Sequence, residues 1–229
     1  MALETKKSIC QYCNHSFTHE KTLATHKCEP KRRALARNEK HVVIGFNAFH
    51  TFFRLTQNSK TQKTYEEFAK SPLYTAFVKF GSYINNTKPI YPERFIEYVM
   101  TSGVKLDHWC RDEVYEKYLV ELIKKESPET ALERSMLSMQ EWADENSSQW
   151  NHYFRYATNS RIIHDISSGK VSPWIILNSK GGKQFLNNLV DEELLYISAF
   201  LDAPTWLKKF QLLPADTELI RAVAKEYQL

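Results

Sequence analysis

The spacing Cys10-x2-Cys13-x12-His26-x-Cys28 constrains the fold more than any other feature of this chain. Two residues between Cys10 and Cys13 let a tight turn bring both thiolates to one ion. The 12 residues before His26 suffice for a short strand return and a short helix. Phe17 falls four residues after Cys13 and Leu23 three before His26, where the small apolar core of a ββα unit sits. So small a unit cannot fold on apolar burial alone. A tetrahedral Zn2+ held by Cys10, Cys13, His26 and Cys28 is therefore expected to supply most of its folding free energy.

On Cys10, Cys13, Phe17, Leu23 and His26 the segment resembles the two-Cys/two-His zinc fingers. It departs from them at the fourth ligand. The family expects a His three to five residues beyond His26, and Pro30 stands in that interval, with Cys28 only two positions after His26. On a continuous helix, positions i and i+2 point about 200° apart, so both cannot face one ion. The helix is expected to end near His26 and the chain to turn back to present Cys28, with Pro30 marking the stop. His15 and His19 are substitute ligand candidates, expected instead to be exposed near the helix start.

Charge divides unevenly along the chain. Residues 1–40 hold nine Lys and Arg against four Glu, a balance of +5, and the remaining 22 basic and 23 acidic residues give −1. The positive excess lies on the finger and its exit, which points to an anionic partner there. Lys21, Lys27, Lys31, Arg32, Arg33 and Arg37 are the candidate nucleic-acid contacts, and 27–40 is expected to be a basic connecting arm. The finger helix offers Thr18, His19, Lys21, Thr22 and Thr25 but no Arg to read guanine, and Glu20 opposes phosphate. Sequence-independent contact with phosphates is the expectation, against a solvated basic helix or a protein-docking face.

The remainder predicts a mostly α chain: a zinc finger over 1–30, then a mainly helical domain over 31–229. From Lys31 the sequence reads as one helix, KRRALARNEKHVVIGFNAFHTFFRL, with Val42, Phe46, Phe49 and Phe53 on one face. A loop with Asn58 and Ser59 follows, then Thr64 three before Glu67, a capping-box signal. Ser71-Pro72, Pro92 and Ser127-Pro128 open further helices, and another starts at Asp107 or Trp109. The stretch ISSGKVSPWIILNS suits a short hairpin or, equally, a helix opened by Pro173. Segments 191–200, 204–210 and 216–227 close the chain as helices. Short, closely spaced helices without a repeat suggest an irregular bundle.

No phosphate-cradling glycine loop, GxSxG elbow or HExxH motif occurs, and only six glycines are present, so no enzyme and no small-molecule substrate is expected. Asp107, His108 and Cys110 come close enough together to suggest nucleophile chemistry, though a chance grouping beside a core Trp109 suits them better; His152 and His164 stand alone. Trp150, Tyr153, Phe154 and Tyr156 with Arg155 could stack bases, though core packing suits them better. No apolar run approaches the roughly 20 residues that span a bilayer, and residues 1–9 lack a secretory signal's apolar stretch. Clustered rather than dispersed cysteines indicate a reducing compartment.

The phrases TYEEFAKSPLYT (64–75), FVKFG (77–81), ALER (131–134), QWNHYFRY (149–156) and SPWIILNS (172–179) resemble a set of uncharacterised zinc-finger proteins of large contractile-tailed phages. The resemblance implies a virus-encoded protein of the host cytoplasm or the virion and supplies no reaction. Two expectations follow. One is a non-enzymatic, zinc-binding, nucleic-acid-binding accessory protein; the other is a virion structural or assembly protein whose finger docks a larger protein assembly.

Overall fold

Helix dominates because apolar residues recur at helical spacing between explicit caps. The computed structural model describes residues 8–57 and 62–229; the loop expected at Asn58 and Ser59 lies outside the described residues, as do Lys6 and Lys7. The described residues form fifteen α-helices and one two-stranded sheet, so the chain is mostly α with a small ββ element at its start. None of these helices is long and apolar enough to cross a membrane. Two compact units make up the chain, Met1–Val114 and Tyr115–Leu229.

The first unit opens with β1 (Ser8–Ile9) paired antiparallel to β2 (Ser16–Phe17), in the register Ser8 to Phe17 and Ile9 to Ser16. There follow α1 (Glu20–Thr25), α2 (Glu29–Leu35), a 3-10 turn (Ala36–Asn38), α3 (Lys40–Gln57), α4 (Tyr65–Lys70), α5 (Tyr74–Thr87) and α6 (Pro92–Thr101). The single helix expected from Lys31 is thus broken: Glu39 is extended (φ −68°, ψ 133°) and its N–H closes onto the Ala36 carbonyl. Pro30 also differs from expectation. It stands in the first turn of α2, where a missing N–H costs nothing, and so opens a helix rather than stopping one.

The core of this unit forms where α3 crosses α5. Gly45 and Gly81 meet there; a Cβ on Gly81 would lie 2.1 Å from the His41 carbonyl oxygen, and one on Gly45 would lie 2.6 Å from that of Phe77. Around the crossing, Phe49, Phe68, Phe77, Phe80, Phe95 and Trp109 are buried with interlocking rings, Phe80 to Trp109 at 5.1 Å and Phe49 to Phe77 at 5.4 Å. Trp109 donates its indole N–H to the Val104 carbonyl. The Thr64 capping box forms as expected: the Thr64 hydroxyl accepts from the Glu67 N–H, and the Thr64 N–H donates to the Glu67 carboxylate.

After a 3-10 turn (Leu106–His108) comes α7 (Asp112–Lys125). The division at Val114 falls inside this helix, so no run of Gly, Pro or Ser marks it in the sequence.

The second unit continues with α8 (Pro128–Asn146), α9 (Tyr153–Tyr156), α10 (Asn159–Ser167), α11 (Pro173–Asn178), α12 (Lys180–Asn187), α13 (Asp191–Ile197), α14 (Ala203–Leu212) and α15 (Pro214–Glu226). Between the two options for 172–179, helix prevails: Ser172 accepts from the Trp174 N–H, and Pro173 supplies the first turn. Helix α11 is the centre of the unit, with Trp174, Ile175 and Ile176 buried against α8, α12 and α15. The Trp174 and Trp206 rings meet edge to face at 5.7 Å, and the Lys209 amine lies 5.0 Å from both.

Buried charge in this unit is matched. Both carboxylate oxygens of Glu126 pair with Arg134, and the Ser172 hydroxyl adds a bond at 2.8 Å. The aromatic stretch divides. Tyr153 is buried and donates to Asp165 at 2.8 Å, whereas Tyr156 lies exposed beneath the Arg155 guanidinium.

Candidate metal centre and the basic arm

The metal-ligand cluster is assembled from two local devices. The first is the turn after β1. Cys10 donates its N–H to the His15 carbonyl at 2.9 Å, and Asn14 donates to the Cys10 carbonyl at 2.8 Å. Asn14 takes φ 58°, the left-handed region that Asn tolerates better than most side chains. The wound turn places the Cys10 and Cys13 sulfurs on one side.

The second device resolves the one-residue gap. Helix α1 stops at Thr25. His26 is extended (φ −64°, ψ 124°), and Cys28, the N-cap of α2, is extended too (φ −127°, ψ 157°). In extended backbone, residues i and i+2 share a face, whereas in a helix they diverge. His26 and Cys28 therefore face the same point because the chain is extended between two helices there.

Four ligand atoms converge: the sulfurs of Cys10, Cys13 and Cys28 and a ring nitrogen of His26 all lie within 4.8 Å of one another. The Cys10 and Cys28 sulfurs are 4.0 Å apart, and the Cys13 sulfur is 3.3 Å from His26 Nε2. A tetrahedron with metal–sulfur bonds of ~2.3 Å has edges of ~3.8 Å, so the spread suits a tetrahedral ion. Donor chemistry agrees, since three soft sulfurs and one imidazole form a set that binds zinc. His15 and His19 stand outside this cluster among the described residues. The His15 ring packs edge-on against Phe17 at 4.8 Å, and Phe17 lies 4.7 Å from the His26 ring.

Electrostatics suit the cluster to a cation. The Tyr12 N–H, then that of Cys13, holds the Cys10 thiol below its ordinary pKa. The His15 N–H acts the same way on Cys13, but burial and the neighbouring Cys10 and Cys28 sulfurs outweigh it and push that thiol up. Thiolates so close repel unless a positive ion sits between them. By contrast, burial raises the Cys110 thiol, and His108 faces Asp107 at 3.6 Å.

The candidate phosphate contacts separate into two sets. Lys21, Lys27 and Arg32 are exposed, Arg32 with 76% of its side chain open and paired only to Glu29 on its own helix. Lys27, Lys31 and Arg32 line an open groove of about 810 Å³ with Thr25 and Leu35, directly beside His26 and Cys28. Lys31 reaches the His26 carbonyl at 3.3 Å.

Arg33 and Arg37 also touch the helical body, although 59% of the Arg37 side chain stays exposed. The Arg33 guanidinium donates to the Ala69 carbonyl at 2.7 Å and lies 4.4 Å over the Tyr74 ring, leaving 19% of its side chain exposed. Arg37 pairs with Glu66 at 3.6 Å and covers the Tyr65 ring. Their partners lie some thirty residues onward, beyond what a local charge pattern shows. No family model matches the chain, and no curated protein or solved structure matches it either.

Proposed function

We propose that the chain is a zinc-binding, non-enzymatic accessory protein, encoded by a phage, that grips nucleic-acid phosphates through Lys21, Lys27, Lys31 and Arg32. The supporting observation is the groove beside the Cys3His cluster, where Lys27, Lys31 and Arg32 outnumber the one acidic residue, Glu29. Three thiolates and one Zn2+ leave the ion site with a net charge of −1, so attraction for phosphate comes from these side chains and not from the ion. Lys27, Lys31 and Arg32 share the groove, and Lys21 lies on α1, outside its lining.

Metal analysis paired with a nucleic-acid titration across salt tests this. One zinc per chain is expected. Four neutralised phosphates give a log–log salt slope of about −3.6, roughly a hundredfold loss of affinity between 50 and 200 mM salt. Binding that ignores salt, or its absence for single- and double-stranded DNA and RNA, overturns it.

One feature favours a second possibility. Leu35, 70% exposed, lines the same groove, and Ile9 is 59% exposed on β1. Apolar side chains beside the cations suit a protein partner in a larger assembly. Recovery of a stable complex at high salt, lost on Leu35→Asp, would establish that alternative.

A further inference from the structure

In the second unit, α9, α12 and α15 frame an open cavity of about 630 Å³, within the range of small-ligand sites. Its wall carries four cationic side chains, Arg155, Lys180, Arg221 and Lys225, and no Asp or Glu side chain. The gathering runs against the charge of its unit, where 13 Lys and Arg face 16 Asp and Glu, a balance of −3. Arg155, Lys180 and Lys225 have no carboxylate within ion-pair distance among the described residues, and Arg221 pairs only with the exposed Glu218, at 2.7 Å. In the same unit Arg134 and Arg161 are each matched by carboxylates. Concentrated like charge costs Coulomb energy, and in this wall only the Arg221–Glu218 pair offsets it among the described residues.

The cavity also has fixed parts. Arg221 is steered by the core: its Nε donates to Oδ1 of buried Asn178 at 3.2 Å, while the Asn178 amide donates to the Trp174 carbonyl at 3.0 Å. Phe154 gives an apolar surface. A Cβ on Gly181 would lie 2.9 Å from the Phe154 Cβ, so glycine is what lets the first turn of α12 approach this ring. The Lys180 N–H is taken by the Leu229 carbonyl at 3.1 Å, and even a free carboxylate on Leu229 would leave the wall at +3. Asn151, Gln184 and Gln228 add amides able both to donate and to accept.

We propose that this cavity binds a nucleoside phosphate, its phosphate against the four cations and its base against Phe154 and the neighbouring amides. Cations alone would take any anion; an aromatic face among amides selects one that carries a nucleobase. The ligand is either a free nucleotide or the phosphorylated end of a strand, and the site does not depend on the finger or its arm.

Calorimetric titration of the full chain at low salt tests it, with the four ribonucleoside 5′-monophosphates, the unphosphorylated nucleosides, inorganic phosphate and a 5′-phosphorylated single-stranded oligonucleotide as probes. Saturable binding is expected for at least one monophosphate or for the phosphorylated oligonucleotide. The matching nucleoside and inorganic phosphate should each bind at least tenfold more weakly.

Arg155→Ala and Lys225→Ala should each weaken binding about tenfold. Lys225→Arg should retain it, and unchanged circular dichroism shows that the fold persists. Tighter binding of the monophosphate identifies a free nucleotide; tighter binding of the oligonucleotide, lost on removing its 5′-phosphate, identifies a strand end. Arg32→Ala should weaken binding at the arm and leave the monophosphate titration unchanged, so failure of one site is distinguishable from failure of the other. No binding of any probe, equal binding of nucleoside and nucleotide, or Ala variants indistinguishable from the parent protein overturns the proposal.

Discussion

The finger and the second helical unit are stabilised by opposite means. Helix α1 buries no side chain, and Phe17 and Leu23 are only half-buried, so little apolar area holds the finger together. The second unit buries Trp174, Trp206, Tyr153, Ile162 and Ile166 almost completely. One region depends on four ligand atoms converging on a point; the other depends on packed surface. Short sequence spacing can therefore specify the first, whereas the second needs contacts from across 115 residues.

Removing the metal should break this contrast most sharply. On the zinc-binding function proposed above, the ion would contribute on the order of 10 kcal/mol to the folding of the finger. A chelator, or Cys13→Ala, should take the metal content from one per chain to none and expose the amides of 8–28 to hydrogen exchange. The second unit's amides should keep their protection. Acid should act in the same direction, because protons compete with the ion for the thiolates and the imidazole as pH falls. Zinc release followed with a colorimetric chelator between pH 7 and pH 4 checks this.

The converse change is Trp174→Ala. It should cost roughly 3–5 kcal/mol in denaturant unfolding of the second unit and leave one zinc per chain. A loss of metal in this variant would sink the contrast.

Between these extremes stands Gly81→Ala. The added methyl meets the His41 carbonyl at 2.1 Å, a backbone group that cannot swing aside, so α3 and α5 must separate. A loss of about 1–3 kcal/mol is expected, read from the denaturation midpoint, again without loss of metal.

Thr64→Ala should have the smallest effect, ~1 kcal/mol for a lost cap. The bond from the Thr64 N–H, then that from Lys63, holds the Glu67 carboxyl below its ordinary pKa. A depressed carboxyl stabilises the fold above its unfolded pKa and loses that contribution as pH falls through the folded value. Glu67→Gln should therefore flatten the acid limb of the stability profile, and an unchanged limb would remove Glu67 from the account.

Legibility in the sequence followed the range of the contacts. Ligand spacing, the Thr64 box, Pro92 and Ser127-Pro128 act within a few residues, and each appears where it was expected. The break at Glu39 was hidden because helix-forming residues lie on both sides of it, and helical periodicity says little about where a turn intervenes. Arg33 read as a surface cation because its acceptor, the Ala69 carbonyl, lies 36 positions away. The cationic cavity was hidden for the same reason: Arg155, Lys180 and Lys225 meet only once α9, α12 and α15 are packed.

The short helix α2 links the two kinds of organisation within the first unit. Its N-cap, Cys28, belongs to the ligand cluster, and five residues later Arg33 is clamped to the Ala69 carbonyl. About 7.5 Å of rigid rod joins these two fixed points. The finger is consequently phased to α4 as one gear is keyed to another on a shaft. A single residue inserted into α2 would rotate the finger by about 100° while leaving every ligand in place. The length of α2, as much as the identity of the ligands, thus sets how the finger is turned relative to α4.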